Sequence, residues 1–201
     1  PIGIIENKRE GWQKVTDTAL REGVRNWISK YGYVRPLYFS LGNEPPIDVQ
    51  HLPNIVAAYK SVYEEIKKID PTITVIASSV GPVEEYFKAG FHKYCDVVDF
   101  HCYADWQEIP LVFKKYDELF SKYGFKKPIW STEIGLNSHG LARQIVARTL
   151  VKKITSFFAC GGQNVSWFDL GWPDPDAKLA DDPTTAHNVF DCRYAPRYCP
   201  K

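Results

Sequence analysis

Strand-like and helix-like stretches alternate along almost the whole of this chain, and that regular beat leaves few folds open. Trp12 to Tyr31 reads as a helix, and the run Pro36 to Leu41 as a first strand. Leu52 to Ile69 carries the clearest helical pattern. Ile55, Tyr59, Val62, Tyr63, Ile66 and Ile69 fall on one stripe, with Lys60, Glu64, Lys67 and Lys68 largely off it, and Asp70-Pro71 ends it. A strand over Ile73 to Ser78, a short helix near Glu84 to Ala89 and a strand over Val97 to Tyr103 follow. A helix near Ile109 to Tyr123, a strand over Pro128 to Thr132, a helix from Gly140 to Cys160 and a strand over Asn164 to Phe168 complete the series. Five strands, each joined to the next by a crossover, predict an α/β fold with a parallel sheet.

A parallel sheet with two open edges is a poor stand-alone object, because such sheets are covered on both faces and bare edges invite pairing. A (β/α)8 barrel solves both problems. Three earlier strands and a closing helix would complete it, so this chain is expected to supply strands four to eight, with the missing barrel half in the same precursor or a second chain. Residues 1–201 are read as a single partial domain, with a tail at 188–201. The start on Pro1 and the lack of methionine fit an internal piece of a longer product.

Composition removes several functional classes. With 25 basic against 24 acidic residues and no long run of either sign, nothing here builds the positive field that nucleic acid or an anionic membrane requires. No stretch approaches the roughly 20 apolar residues of a membrane span. Five cysteines make neither a zinc pattern nor a dense disulfide framework. Cys192 and Cys199 flank an irregular segment, where they stand either as a short disulfide or as two thiols. Cys102 and Cys160 read as small buried hydrophobes. The Pro- and Asp-rich stretch from Gly171 onward matches no calcium loop and reads as solvated turns. No metal ligand set or cofactor is expected.

Two acids stand out because each lies where a strand-like run gives out: Glu44 in Leu-Gly-Asn-Glu-Pro and Glu133 in Trp-Ser-Thr-Glu-Ile-Gly. Parallel strands that feed helices place their C-terminal ends on one rim, so these distant acids can meet there. Two carboxyl groups about 5 Å apart are what a retaining glycosidase needs. The plain alternatives are a helix-entry acid before Pro45-Pro46 and a solvated loop carboxylate. His101 and Tyr103 are two apart in a strand and share a face opposite Val98, Phe100 and Cys102, where they stand either beside the acids or as a satisfied core histidine and an amphipathic core tyrosine. Trp167, Trp106 and Trp172 follow or end strands, where indole can stack on the apolar face of a sugar or simply fill space. Trp130 reads as packing. His51, His92, His139 and His187 have no constellation and read as surface or capping residues. Asn164-Val165-Ser166 fits a glycosylation sequon, but a core strand is a poor place to modify.

In order along the chain, Asn-Glu-Pro, His-x-Tyr, Thr-Glu-x-Gly and Trp-Phe end successive strands, and this set resembles the clan A glycoside hydrolases, with the flavour of families five and thirty-nine. The match spans roughly Tyr38 to Asp191 and covers four separate motifs. The resemblance implies a retaining glycosidase acting on a β-linked glycoside or polysaccharide without a cofactor. It implies Glu44 as acid/base and Glu133 as nucleophile, with Tyr103 donating its hydroxyl to Glu133. Asn43 would donate to a sugar 2-hydroxyl, His101 would hydrogen-bond near the sugar or the acid, and Trp167 would floor the sugar site. Trp106 and Trp172 would line outer subsites. A secreted or cell-surface location is the matching expectation. The rival reading is a non-catalytic carbohydrate-binding or structural subunit of a larger extracellular assembly.

Overall fold

A computed structural model describes the backbone of residues 2–5 and residues 17–35, 37–45, 50–138 and 141–168. Strands and helices alternate as β1 (Ile2–Ile5), α1 (Asp17–Tyr31), β2 (Tyr38–Leu41), α2 (Leu52–Ile69), β3 (Thr74–Ile76) and α3 (Glu84–Lys88). A 3-10 turn at Phe91–Tyr94 precedes β4 (Val98–Cys102), α4 (Glu108–Tyr123), β5 (Ile129–Gly135), α5 (Arg143–Ala159) and β6 (Asn164–Phe168). Six strands are therefore present among the described residues, one more than the sequence pattern predicts. The additional strand, Ile2–Ile5, pairs in parallel with β2, Ile2 opposite Tyr38 and Ile5 opposite Leu41. Four residues with an internal glycine carry too little alternation to distinguish a strand from any short apolar run.

The chain forms two compact units, residues 1–100 with 115–130 and residues 101–114 with 131–201. In the first, β2 pairs in parallel with β3 as well as β1, and Ile76 makes a parallel bridge to Val97, just ahead of β4. Helix α2 lays Ile55, Tyr59, Val62 and Ile66 into the core, each essentially without exposure. Its two ends are shaped by different residues. Proline occupies the first turn, where its missing N–H costs nothing, and the Asp70 N–H closes the last turn on the Ile66 carbonyl. Ile69, assigned to the apolar stripe, is instead 43% exposed, because the last turn passes beyond the core.

Glu65 is buried on the opposite account, as an acid held by cations. Arg25 Nε approaches its Oε1 at 2.7 Å and Arg21 its Oε2 at 3.3 Å, tying α1 to α2. The hydrogen bond from Arg25 leads the effects that hold its carboxyl below the ordinary glutamate range. An aromatic cluster fills the other flank, where Phe87 and Phe125 ring centroids lie 5.8 Å apart. His92, expected at the surface or as a cap, is buried there, stacked on Phe125 at 4.3 Å. A lone histidine offers no sequence signal separating these outcomes, and here ring stacking replaces hydration.

In the second unit Phe113 and Phe157 pack at 5.5 Å between centroids. The strands not in the first sheet are ordered β4-β5-β6. Strand β5 runs to Gly135, so Glu133 lies inside the strand rather than past it. Cys102 is buried and Cys160 only half-buried, and both are free thiols. Asn164 and Ser166 of the sequon are exposed, which departs from the buried setting expected of a core strand. Trp12, Trp172, His139, His187, the aspartate-rich stretch and the Cys192 and Cys199 pair lie outside the described residues. Among the described residues no helix is long and apolar enough to cross a membrane.

Candidate functional site

In the second unit the motif residues at the end of β4 and near the end of β5 gather around one carboxylate. Tyr103, the residue following β4, donates its hydroxyl to Glu133 Oε1. His101, two residues earlier and therefore on the same side of the chain, places Nδ1 3.7 Å from Glu133 Oε2 and Nε2 3.2 Å from Thr132 Oγ1. Both His101 and Glu133 are largely enclosed, with side chains 9% and 22% exposed. The carboxylate is thus oriented by a neutral donor on one oxygen, with an imidazole beside the other.

Gly135 explains why the tyrosine can reach. A β-carbon on this glycine would stand 2.7 Å from Tyr103 Cε1 and 2.5 Å from the Phe168 carbonyl oxygen. The phenol ring therefore lies across the Gly135 position, and its hydroxyl extends back along β5 to Glu133, about 6.6 Å of strand away. The fourth residue of Thr-Glu-x-Gly is small because the ring occupies the space of a side chain.

Lys153, in the middle of α5, is fully buried and donates to the carbonyls of Gly135 at 2.5 Å and Cys102 at 3.2 Å. Burial pulls its ammonium below the ordinary lysine range. Nothing in the sequence singles it out from its neighbour Lys152. Trp106 is half-buried, with the Lys152 ammonium 5.6 Å from its ring and its carbonyl accepting from Ser156. Trp167 lies in β6, half-buried, its Nε1 enclosed without a hydrogen-bond partner among the described residues.

The first unit carries the other motif. Asn43 and Glu44 are exposed just beyond β2, and Glu44 has a left-handed backbone at φ +45°. Among the described residues only two other non-glycines share that region, Ser78 and Ser79 after β3, at φ +52° and +55°. Such conformations cost on the order of 1–3 kcal/mol and persist where surrounding bonds fix them. Here the Ser79 N–H donates to the buried carboxylate of Asp99 at 2.8 Å, while the hydroxyls of Ser40 and Ser78 meet at 2.7 Å. Tyr59 reaches up from α2, its hydroxyl 3.3 Å from the Leu41 carbonyl and 3.1 Å from that of Ala77. Burial pushes this phenol well above its ordinary range, so it remains a donor. Trp130 packs edge-on to Tyr38 at 5.2 Å, as its packing role requires.

No protein-family model and no curated protein matches the sequence. Solved structures do match. A family 39 glycoside hydrolase from the gut symbiont Bacteroides cellulosilyticus superposes with a TM-score of 0.64 at 20% identity, over 87% of this chain and 41% of that one. XacCel5A, solved in complex with cellopentaose, gives 0.63 at 15% identity, over 87% of this chain and 65% of that one. The β-D-glucuronidase of Dictyoglomus thermophilum gives 0.59 at 18% identity, over 77% and 29%. These neighbours are glycoside hydrolases larger than the present chain, which spans less than two thirds of each.

The chain has the fold of part of a (β/α)8 barrel. In a partial barrel of this kind, residues at the C-terminal ends of strands are the ones placed for chemistry, and those toward the other end serve stability. His101 and Glu133 lie near the C-terminal ends of β4 and β5, Tyr103 directly follows β4, and Asn43 and Glu44 lie just beyond β2.

Proposed function

We propose that this chain carries the catalytic residues of a retaining glycoside hydrolase acting on a β-linked glycoside or polysaccharide. The observation that supports this most strongly is the bond from Tyr103 to Glu133, with His101 on the other side of the carboxylate. A carboxylate oriented in this way is prepared to act as a nucleophile rather than as a proton donor.

In the first step a Glu133 oxygen attacks the anomeric carbon as the bond to the leaving oxygen breaks, and Glu44 gives that oxygen its proton. The Tyr103 hydroxyl fixes the attacking group, and Asn43 donates to the sugar 2-hydroxyl, a contact that strengthens as oxocarbenium character develops. In the second step Glu44 takes a proton from water, the water oxygen bonds to the anomeric carbon, and Glu133 leaves as a carboxylate. Trp167 offers its indole face as a floor for the ring. Trp106 and Trp172 are assigned to outer subsites. A secreted or cell-surface location suits a polymeric substrate.

The test is the anomeric configuration of the first product, followed by proton NMR on the intact protein with a panel of aryl glycosides. Retention, abolished in Glu133→Gln, is the expected result. In Glu44→Gln, substrates with good leaving groups should still glycosylate the enzyme, and azide should then restore turnover as a glycosyl azide. Glycan binding without hydrolysis by the native protein would favour a non-catalytic carbohydrate-binding subunit instead.

A further inference from the structure

A fully buried lysine requires explanation, since an ammonium is among the costliest groups to withdraw from water and is seldom enclosed without partners. The two acceptors of Lys153 are the last residues of two strands, Cys102 on β4 and Gly135 on β5. Their neighbours matter more. Cys102 is joined directly to Tyr103, and Gly135 is the residue across which the Tyr103 ring lies, two positions beyond Glu133. One ammonium therefore ties the peptide that carries the phenol to the peptide over which the phenol is laid.

The close approach at Gly135 shows independently that this register has little slack. The ring stands where even a methyl group would collide, so relative movement of the two strand ends changes how far the hydroxyl reaches along β5. We propose that Lys153 is a positioning residue, holding the ends of β4 and β5 so that Tyr103 stays in hydrogen-bonding register with Glu133. The geometry is independent of the reaction, and the catalytic consequence rests on the glycosidase reading given above. Lys153 touches neither substrate nor Glu133 in this role. It acts through Tyr103.

The test uses the intact protein with Lys153→Met and Lys153→Gln, the second keeping an amide donor on a shorter arm. Lys153→Met should melt cooperatively, lose about tenfold or more in kcat and change KM by less than about threefold, with partial recovery in Lys153→Gln. In a Tyr103→Phe background Lys153→Met should cost less than about twofold further, because the contact it sets is already gone. The ring carbon Cζ of Tyr103, labelled with carbon-13 and assigned by its loss in Tyr103→Phe, should shift in Lys153→Met. Additive losses, an unmoved Tyr103 resonance, or failure of both lysine variants to fold would overturn the proposal in favour of a simple helix-to-sheet staple. A native protein that hydrolyses no glycoside would tell against the glycosidase reading alone, and the Tyr103 resonance would still decide the role of Lys153.

Discussion

The hydroxyl of Tyr103 is bonded to the carboxylate of Glu133, and the ring that carries it is seated across Gly135 on the same strand as the acid. A hydrogen bond to a charged group contributes about 1.5–3 kcal/mol. If that energy is expressed when the nucleophile attacks, Tyr103→Phe should lower kcat by about tenfold to a hundredfold. The melting temperature should fall by no more than several degrees, since the ring and its packing remain. Steady-state kinetics beside a thermal melt checks this, and a variant that loses stability but keeps kcat would make Tyr103 a core residue.

Gly135→Ala asks whether the seat of that ring is as tight as it looks. Its new methyl would meet the Phe168 carbonyl oxygen at 2.5 Å as well as the Tyr103 ring, and the backbone oxygen cannot swing away as a side chain would. Overpacking of this kind costs about 1–3 kcal/mol. A lower denaturant midpoint together with a fall in kcat is expected. An alanine variant of native stability and native rate would show that the strand ends are free to part.

The buried Glu65 predicts how the first unit responds to acid. Its carboxyl is held below the ordinary glutamate range, chiefly by the hydrogen bond from Arg25 and with a second from Arg21. The folded state therefore binds the proton less readily than the unfolded chain. The resulting stabilisation is complete above the unfolded value of about 4.3 and is lost as the pH falls below it toward the folded value. Urea unfolding of the native protein and Glu65→Gln should show a stability gap at pH 6 that narrows by pH 3. A gap that is constant or widens on acidification would contradict the ion-pair account.

Much of this architecture is legible in the sequence, and the reason differs by element. Helix α2 was read to its exact ends because amphipathic spacing and the Asp70-Pro71 stop coincide. Glu44 and Glu133 are legible as candidates because the motifs surrounding them are local in sequence. The strand Ile2–Ile5 was missed because it acquires its meaning only from pairing with β2. Lys153 and Asp99 were missed for a related reason. A buried charge on an amphipathic helix, or an acid inside an apolar strand, looks like a surface residue until its partners are known, here the carbonyls of Cys102 and Gly135 and the Ser79 N–H. The role of Gly135 likewise depends on a tyrosine from another strand.

The most direct test of the central claim is covalent trapping of the nucleophile. The intact protein is incubated with activated 2-fluoro glycosides of several configurations, its mass is measured, and the labelled peptide is mapped. A single glycosyl adduct on Glu133, absent in Glu133→Gln and slower to form in Tyr103→Phe, is the predicted result. An adduct on a different residue, or none with any sugar from a protein that binds glycans, would contradict the assignment of Glu133 as the nucleophile.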